Sequence, residues 1–258
     1  TEPVVTFSNA AVRATTTDAA SLMVREGCVE LANGASFAAD KAIYVGYGDY
    51  GRSVATRLVI RDSSLNIGGN WIFLQTHDPD DSIVRCFVYG DSTVKIGRFN
   101  VSRGEVQVYG GEVLTSDTTA GVVLGSSSEA CRLYGGVLET KAVQCNGVYA
   151  AFEWRGGTVR ARETVSSFFS RLCAKTRVGT EGGVFDSQNY RVSITNALTP
   201  ALGQKATAYS RANDRGCVFI FDRVDGLALR GVTFCNPVTY SCQLVRVSNF
   251  TVEDITFD

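Results

Sequence analysis

A short phrase built on a glycine pair returns four times: YGGEVLTSD at 109–117, YGGVLETK at 134–141, WRGGTVRAR at 154–162 and EGGVFDSQN at 181–189. The first glycines, Gly110, Gly135, Gly156 and Gly182, stand 25, 21 and 26 residues apart. Self-similarity at a period of 20–50 residues marks stacked-repeat architectures, in which each repeat is one supersecondary unit that buries its apolar face only against its neighbours. Downstream, GLALRGVTF at 226–234 aligns without gaps on NFTVEDITF at 249–257 with an offset of 23, pairing Leu229 with Val252, Thr233 with Thr256 and Phe234 with Phe257. Looser copies occur upstream in NGASFAAD at 33–40, DSSLNIGG at 62–69 and GDSTVKIG at 90–97, where the longer intervals imply loops bulging from the turns.

Each phrase is a turn followed by a strand. In TVRAR at 158–162 the period-2 alternation puts Val159 and Ala161 on one face and Thr158, Arg160 and Arg162 on the other. One strand cannot bury such a face alone, but stacking each turn on the last, about 4.8 Å apart, pairs every strand with its copies and aligns like residues in interior ladders. The glycine pairs supply the backbone conformations that a tight corner between two strands requires. The expected fold is all-β, a right-handed parallel β-helix, that is a single-stranded β-solenoid. Residues 1–258 should form one elongated domain, because a solenoid grows by adding turns and only four prolines and no polar linker interrupt the chain. SSFFSRLCAK at 166–175 is the one stretch with the look of a helical turn.

Eight cysteines permit a disulfide framework. Cys86, Cys131 and Cys217, however, each open a strand with an apolar residue two places on, where a thiol behaves as a small interior hydrophobe. Most of the thiols are therefore expected buried and reduced, with Cys235 and Cys242 the candidates for a local bridge. No CxxC pair is present and His77 is the sole histidine, which disfavours a zinc site. With 25 basic and 26 acidic residues and no basic tract, nucleic acid is not an expected partner. No run of 18 apolar residues provides a membrane span.

Two resemblances follow from these phrases. Residues 109–199, from the first glycine pair through GGVFDSQNYRVSITNALT, resemble the autotransporter-associated β-strand repeats of bacterial surface and secreted proteins. Residues 217–257, CVFIFDRVDGLALRGVTFCNPVTYSCQLVRVSNFTVEDITF, resemble rungs of the pectate lyase and polygalacturonase superfamily. Both imply the right-handed parallel β-helix and an extracellular or cell-surface location, in bacteria for the first. The second implies catalytic carboxylates following these rungs, in an NTDG-like strand, a DD pair, a GHG and an RIK motif; no NTDG, GHG or RIK occurs, and the chain's one DD pair, Asp80-Asp81, lies far upstream of the rungs. Glycoside hydrolysis generally needs two carboxyl groups across one bond. Asp222, Asp225, Asp254 and Asp258 qualify by type, yet read as outward turn residues.

Catalytic residues are thus unknown, and two constellations are left. Trp154, Arg160 and Arg162 gather an aromatic ring and two guanidinium forks around one strand, a set suited to an acidic glycan. The same residues also read as a tryptophan packed on a corner beside a solvated charge ladder. Asp78, Asp80 and Asp81, in HDPDD at 77–81, are weak calcium candidates, since no glycine-anchored loop frames them. Asn100-Val101-Ser102 and Asn249-Phe250-Thr251 match the N-glycosylation pattern, which matters only in a eukaryotic secretory route. No cofactor is implied. The expectation is a structural, adhesive or glycan-contacting module without catalysis of its own, with polysaccharide as the possible partner. The alternatives are a polysaccharide-degrading enzyme or its non-catalytic portion, and a phage tailspike-like fibre. EDITFD at 253–258 falls inside a repeat, so the last turn is expected to be covered by a neighbouring copy, a partner or further turns.

Overall fold

The computed structural model describes residues 3–46, 55–75, 84–125, 130–146, 150–169, 177–178, 181–195, 219–222, 224–235 and 242–257. The described residues contain strands and no helix. Three parallel sheets run along a β-solenoid, and each of the first six turns contributes one strand to each in succession. The first sheet stacks Val4–Ser8, Gly27–Ala32, Thr56–Arg61, Val84–Tyr89, Glu105–Val108, Ala130–Leu133, Ala151–Trp154 and Arg177–Val178. The second has ten strands: Ala11–Ala14, Ser36–Ala39, Ser64–Asn66, Thr93–Ile96, Glu112–Thr115, Val137–Thr140, Thr158–Ala161, Gly183–Asp186, Leu227–Arg230 and Thr251–Glu253. The third comprises Ala20–Val24, Ala42–Val45, Trp71–Leu74, Arg98–Val101, Val122–Leu124 and Val143–Cys145. Two smaller parallel sheets belong to the later turns. One joins Val192–Thr195, Val232–Cys235 and Thr256–Phe257, and the other joins Phe219–Asp222 and Cys242–Val245.

The alternation that marks each strand determines what enters the coil. In Val84–Tyr89 the residues Val84, Cys86 and Val88 are buried and their neighbours are not. In Thr158–Ala161 the buried pair is Val159 and Ala161. Register turns these positions into ladders. Phe37, Leu65, Val94, Val113, Leu138, Val159, Phe185, Leu229 and Val252 pair in unbroken sequence down the second sheet. The 23-residue offset is seen directly, since Leu229 pairs Val252, Thr233 pairs Thr256 and Phe234 pairs Phe257. Val252, although on the interior ladder, is 45% exposed.

The thiols divide. Cys86 and Cys131 occupy one interior ladder of the first sheet, on either side of Val106 and followed by Phe152. Both are free and fully buried, and burial pushes each up to about 12, so they stay protonated hydrophobes. Cys28 is likewise a buried thiol. Cys145 is disulfide-bonded, a residue that strand patterning did not single out. Cys217 and the side chains of Cys235 and Cys242 lie outside the described residues. The expected helical turn at 166–175 does not form over its described part. Phe168 and Phe169 both insert into the core, and Phe169 bridges Val143 in parallel. Positions 170–175 lie outside the described residues.

The corner between the first and second sheets is left-handed in every turn from the second to the seventh, at Asn33, Asp62, Gly90, Gly111, Gly136 and Gly157, with φ between 47° and 73°. At Gly136 a side chain is excluded twice over. Its φ is 70°, and a Cβ would lie 2.4 Å from the carbonyl oxygen of Gly111 in the turn below. Gly34 shares the sign of φ, at 77°, but a Cβ there meets nothing within 4 Å.

Two predictions follow from ladder and corner. Val159→Asp would place a carboxylate between Leu138 and Phe185 with no partner, and should lower unfolding free energy by on the order of 3 kcal/mol or more, read by urea denaturation. A loss below 1 kcal/mol would mean that the position is not interior. Gly34→Ala should incur only the left-handed cost of about 1–2 kcal/mol, whereas Gly136→Ala should lose clearly more, because backbone must also shift. Equal losses would remove the steric part of this account.

Candidate functional site

Counting from the first glycine at each corner, Gly90, Gly110, Gly135 and Gly156, gives the direction of each side chain that precedes it. Two residues before that glycine the chain points inward, at Val88, Val108, Leu133 and Trp154, which pair in register. One residue before that glycine it points outward, and there stand Tyr89, Tyr109, Tyr134 and Arg155, with Arg61 paired to Tyr89 from the turn below. Trp154 is therefore not a surface platform. It is 2% exposed, its Nε1 donates to the Gly157 carbonyl at 3.3 Å, and its ring presents no face to solvent. The sequence expectation that Trp154 contacts a ligand is corrected on that ground.

Arg160 and Arg162 do lie outside the coil, on the second sheet and just beyond it, but both are engaged. Arg160 lies 3.7 Å from Glu139 and 3.8 Å from Asp186, in a column that continues to Arg230 and Glu253. Arg162 donates to the carbonyls of Thr115 and Asp117, each at 3.2 Å, and pairs with Glu163. The two arginines thus bind turns to one another, and the structure does not bring them together with Trp154 into one pocket. Among the runner-up carboxylates, Asp225 Oδ1 accepts from Ser248 Oγ and Asn249 Nδ2 at 2.8 and 2.7 Å, a turn-to-turn bracket. Asp254 sits at φ 53° in an exposed turn, and Asp222 ends the strand Phe219–Asp222. Asp78, Asp80, Asp81 and Asp258 lie outside the described residues, among which no cluster of metal-ligating side chains occurs.

The outward column on the first sheet was not recognised from the sequence, although the signal was present in the Tyr-Gly dipeptides at 89, 109 and 134. Here the rings lie flat on one another. Tyr89 and Tyr109 stack at 4.9 Å and 11°, Tyr109 and Tyr134 at 4.6 Å and 5°. The Arg61 guanidinium covers one end, 4.7 Å from the Tyr89 centroid, and Arg155 approaches the other, 5.7 Å from the Tyr134 centroid. Ring faces are consumed by stacking, so what the column offers to solvent is edges and phenol groups. Tyr109 is the most open, at 42% exposure. Burial, then the phenols of Tyr134 and Tyr89, raise its pKa, so it remains a hydrogen-bond donor at neutral pH.

Beside the column runs a network of charges. Arg132 joins Glu105 at 2.6 Å to Glu153 at 3.1 Å. Arg85 holds Glu105 at 3.3 Å and Arg155 holds Glu153 at 2.8 Å. Gln107 Nε2 donates to Glu105, and the Tyr109 hydroxyl donates to Gln107 Oε1 at 2.7 Å. Burial alone would raise the Glu105 carboxyl, but the Arg132 hydrogen bond and charge, Gln107 and Arg85 outweigh it and hold the group below its ordinary value. Such a carboxylate stays ionised, the reverse of what a general acid needs.

The sign of the pH effect is fixed by that lowering. A carboxyl whose folded pKa is depressed contributes stability above its unfolded value, about 4.3 for glutamate, and loses it as pH falls through the folded pKa. Unfolding free energy should therefore drop on acidification through this range. Glu105→Gln should flatten the drop, and an unchanged pH slope in that variant would show that the network does not carry it.

Compared with protein-family models, with curated proteins and with solved structures, the chain matches none.

Proposed function

We propose that this chain is a non-catalytic β-solenoid module of an extracellular or cell-surface protein, and that the outer face of its first sheet contacts an acidic polysaccharide. The observation that carries the reading is the solvent-facing column Arg61–Tyr89–Tyr109–Tyr134–Arg155, in register over five turns and flanked by Arg85 and Arg132. The half-exposed guanidinium forks of Arg61 and Arg155 can donate to the carboxylate or sulfate groups of a polymer, and the Tyr109 phenol oxygen can accept from its hydroxyls. A neutral glycan or a single-stranded nucleic acid would want free ring faces to stack on, and these faces are occupied by one another. Glu30, Glu105 and Glu153 interleave with the arginines. They would repel a continuously charged phosphate backbone, yet they can accept from sugar hydroxyls.

The disulfide at Cys145 supports an oxidising compartment, where such bonds persist. Absence of catalysis is proposed because the carboxylates of this face are each tied to arginine, and because the NTDG, GHG and RIK motifs expected from the polygalacturonase resemblance do not occur in the chain.

The test is binding of polygalacturonate against its methyl-esterified form, with the release of reducing ends followed in parallel. The acidic polymer should bind and the ester should not. Binding should weaken with salt, and Tyr109→Ala and Arg155→Ala should each weaken it by roughly tenfold, the loss of about one hydrogen-bonded contact. Indifference to both substitutions would remove this face from the reading. A preference for single-stranded DNA over the acidic polymer would replace it with a nucleic-acid reading, and sustained release of reducing ends would make the chain an enzyme.

A further inference from the structure

A second surface site lies away from the tyrosine column, at the corner between the second and third sheets. Down the outward column of the second sheet the residues in register are Arg13, Ala38, Asn66 and Lys95. Ala38 leaves a notch one turn tall between the guanidinium of Arg13 and the amide of Asn66. The notch opens into a groove of about 360 Å³ whose floor is Ala38 and Ala39 and whose wall is the corner Gly68–Gly69–Asn70, with Asp40 behind it. The wall is bare backbone, since a Cβ on either glycine would meet no atom within 4 Å.

The groove is also held rigid. Asn66 Oδ1 accepts from the Gly68 N–H at 3.0 Å, and Asn70 Nδ2 donates to the carbonyls of Asp40 and Ile67, both at 3.0 Å. Asp40 Oδ1 is taken by the Thr16 N–H at 3.3 Å and the Ser21 hydroxyl at 3.1 Å. Arg61, Arg85, Arg98, Arg132, Arg155, Arg160 and Arg230 all sit in ion pairs. Arg13, which lines the groove, has no ion-pair partner among the described residues. The groove therefore has a polar wall, an apolar floor of two methyl groups and one lining cation, Arg13, with the Asp40 carboxylate engaged by Thr16 and Ser21.

We infer that this groove binds a small hydroxycarboxylate of sugar-acid size, with the carboxylate on the Arg13 fork and its hydroxyls on the corner of Asn66, Gly68 and Asn70. The fork geometry of guanidinium matches a carboxylate in two parallel hydrogen bonds. The volume is at the low end of ligand sites, about 300–1,000 Å³, which suits one monosaccharide and not a polymer.

The probe is glucuronate, with glucose as its neutral counterpart, titrated into the folded chain and followed by the side-chain N–H resonances of Arg13 and Asn66. Saturable shifts with glucuronate and none with glucose are expected. Arg13→Gln should weaken binding by at least tenfold. Ala38→Phe, a substitution at an exposed position that leaves every named hydrogen bond in place, should abolish it. Tyr109→Ala should leave it unchanged, which separates this site from the tyrosine column: failure of polygalacturonate to bind that column would leave the groove standing, and the converse. A linear, unsaturable response to glucuronate, or full binding by a folded Ala38→Phe variant, would overturn the inference.

Discussion

Everything in this molecule depends on how closely one turn's backbone can lie on the next at the corner between the first and second sheets. At Gly111, Gly136 and Gly157 a Cβ would lie 2.2–2.6 Å from a carbonyl oxygen of the turn below. The chain must reverse direction with φ positive, and only Gly, Asn or Asp stands in that position from the second turn to the seventh. That contact accompanies an unshifted register in the second-sheet strands from Ser36 onward, whereas the third sheet carries one register shift at Ala20–Leu22. A one-residue slip would turn each strand's apolar set outward, and the interior ladder from Phe37 to Val252 shows that it does not occur. Corner, register and core are one constraint seen at three levels.

The same constraint governs the outside. Stacking sets each outward residue directly over its counterpart, so like charges would face each other at strand spacing and unlike charges pair. The column Glu139, Arg160, Asp186, Arg230, Glu253 alternates in sign throughout. Exposed pairs of this kind contribute little each, about 0–1 kcal/mol, so their larger effect is against wrong register. Aromatic residues obey the same logic by a different interaction: three tyrosines brought into one column stack, and the guanidinium groups at either end cover the ring faces that would otherwise be wet.

What could be read from residues was governed by that corner. The glycine pairs at 110, 135 and 156 mark a position where a Cβ cannot fit, and they announce the turn without any long-range information. The offset of 23 between 226–234 and 249–257 gave the register of the late turns residue by residue. Site residues were harder, because direction depends on the count from the corner and not on residue type. Trp154 looked like a platform by chemistry, yet it stands two places before Gly156, on the inward parity shared with Leu133. Tyr109 and Tyr134 stand one place before their glycines and face out. Parity would have found the column. The notch at Ala38 could not be found that way, since it arises from the absence of a side chain between Arg13 and Asn66 in neighbouring turns. Nor does strand patterning mark Cys145 as a bonded cysteine. It ends a strand with the same inward alternation as the free thiols, and only spatial proximity distinguishes it.

Satisfaction of charge is what favours the proposed non-catalytic reading of the first sheet's outer face. A hydrolytic site keeps at least one carboxyl poised and incompletely engaged, so that its proton can move. On the first sheet Glu105 and Glu153 are each held by two arginines, and the lowered pKa of Glu105 is the thermodynamic mark of that engagement. Such a surface has little capacity to exchange protons and a large capacity to hold its shape. Its donors and acceptors recur at the spacing of the turns themselves. The partner that gains most from such a surface is periodic, because each of its repeats can meet the next turn on the same terms. On the proposal that the first sheet contacts a polysaccharide, the ladders on its exterior would act as a ruler for the polymer's own repeat.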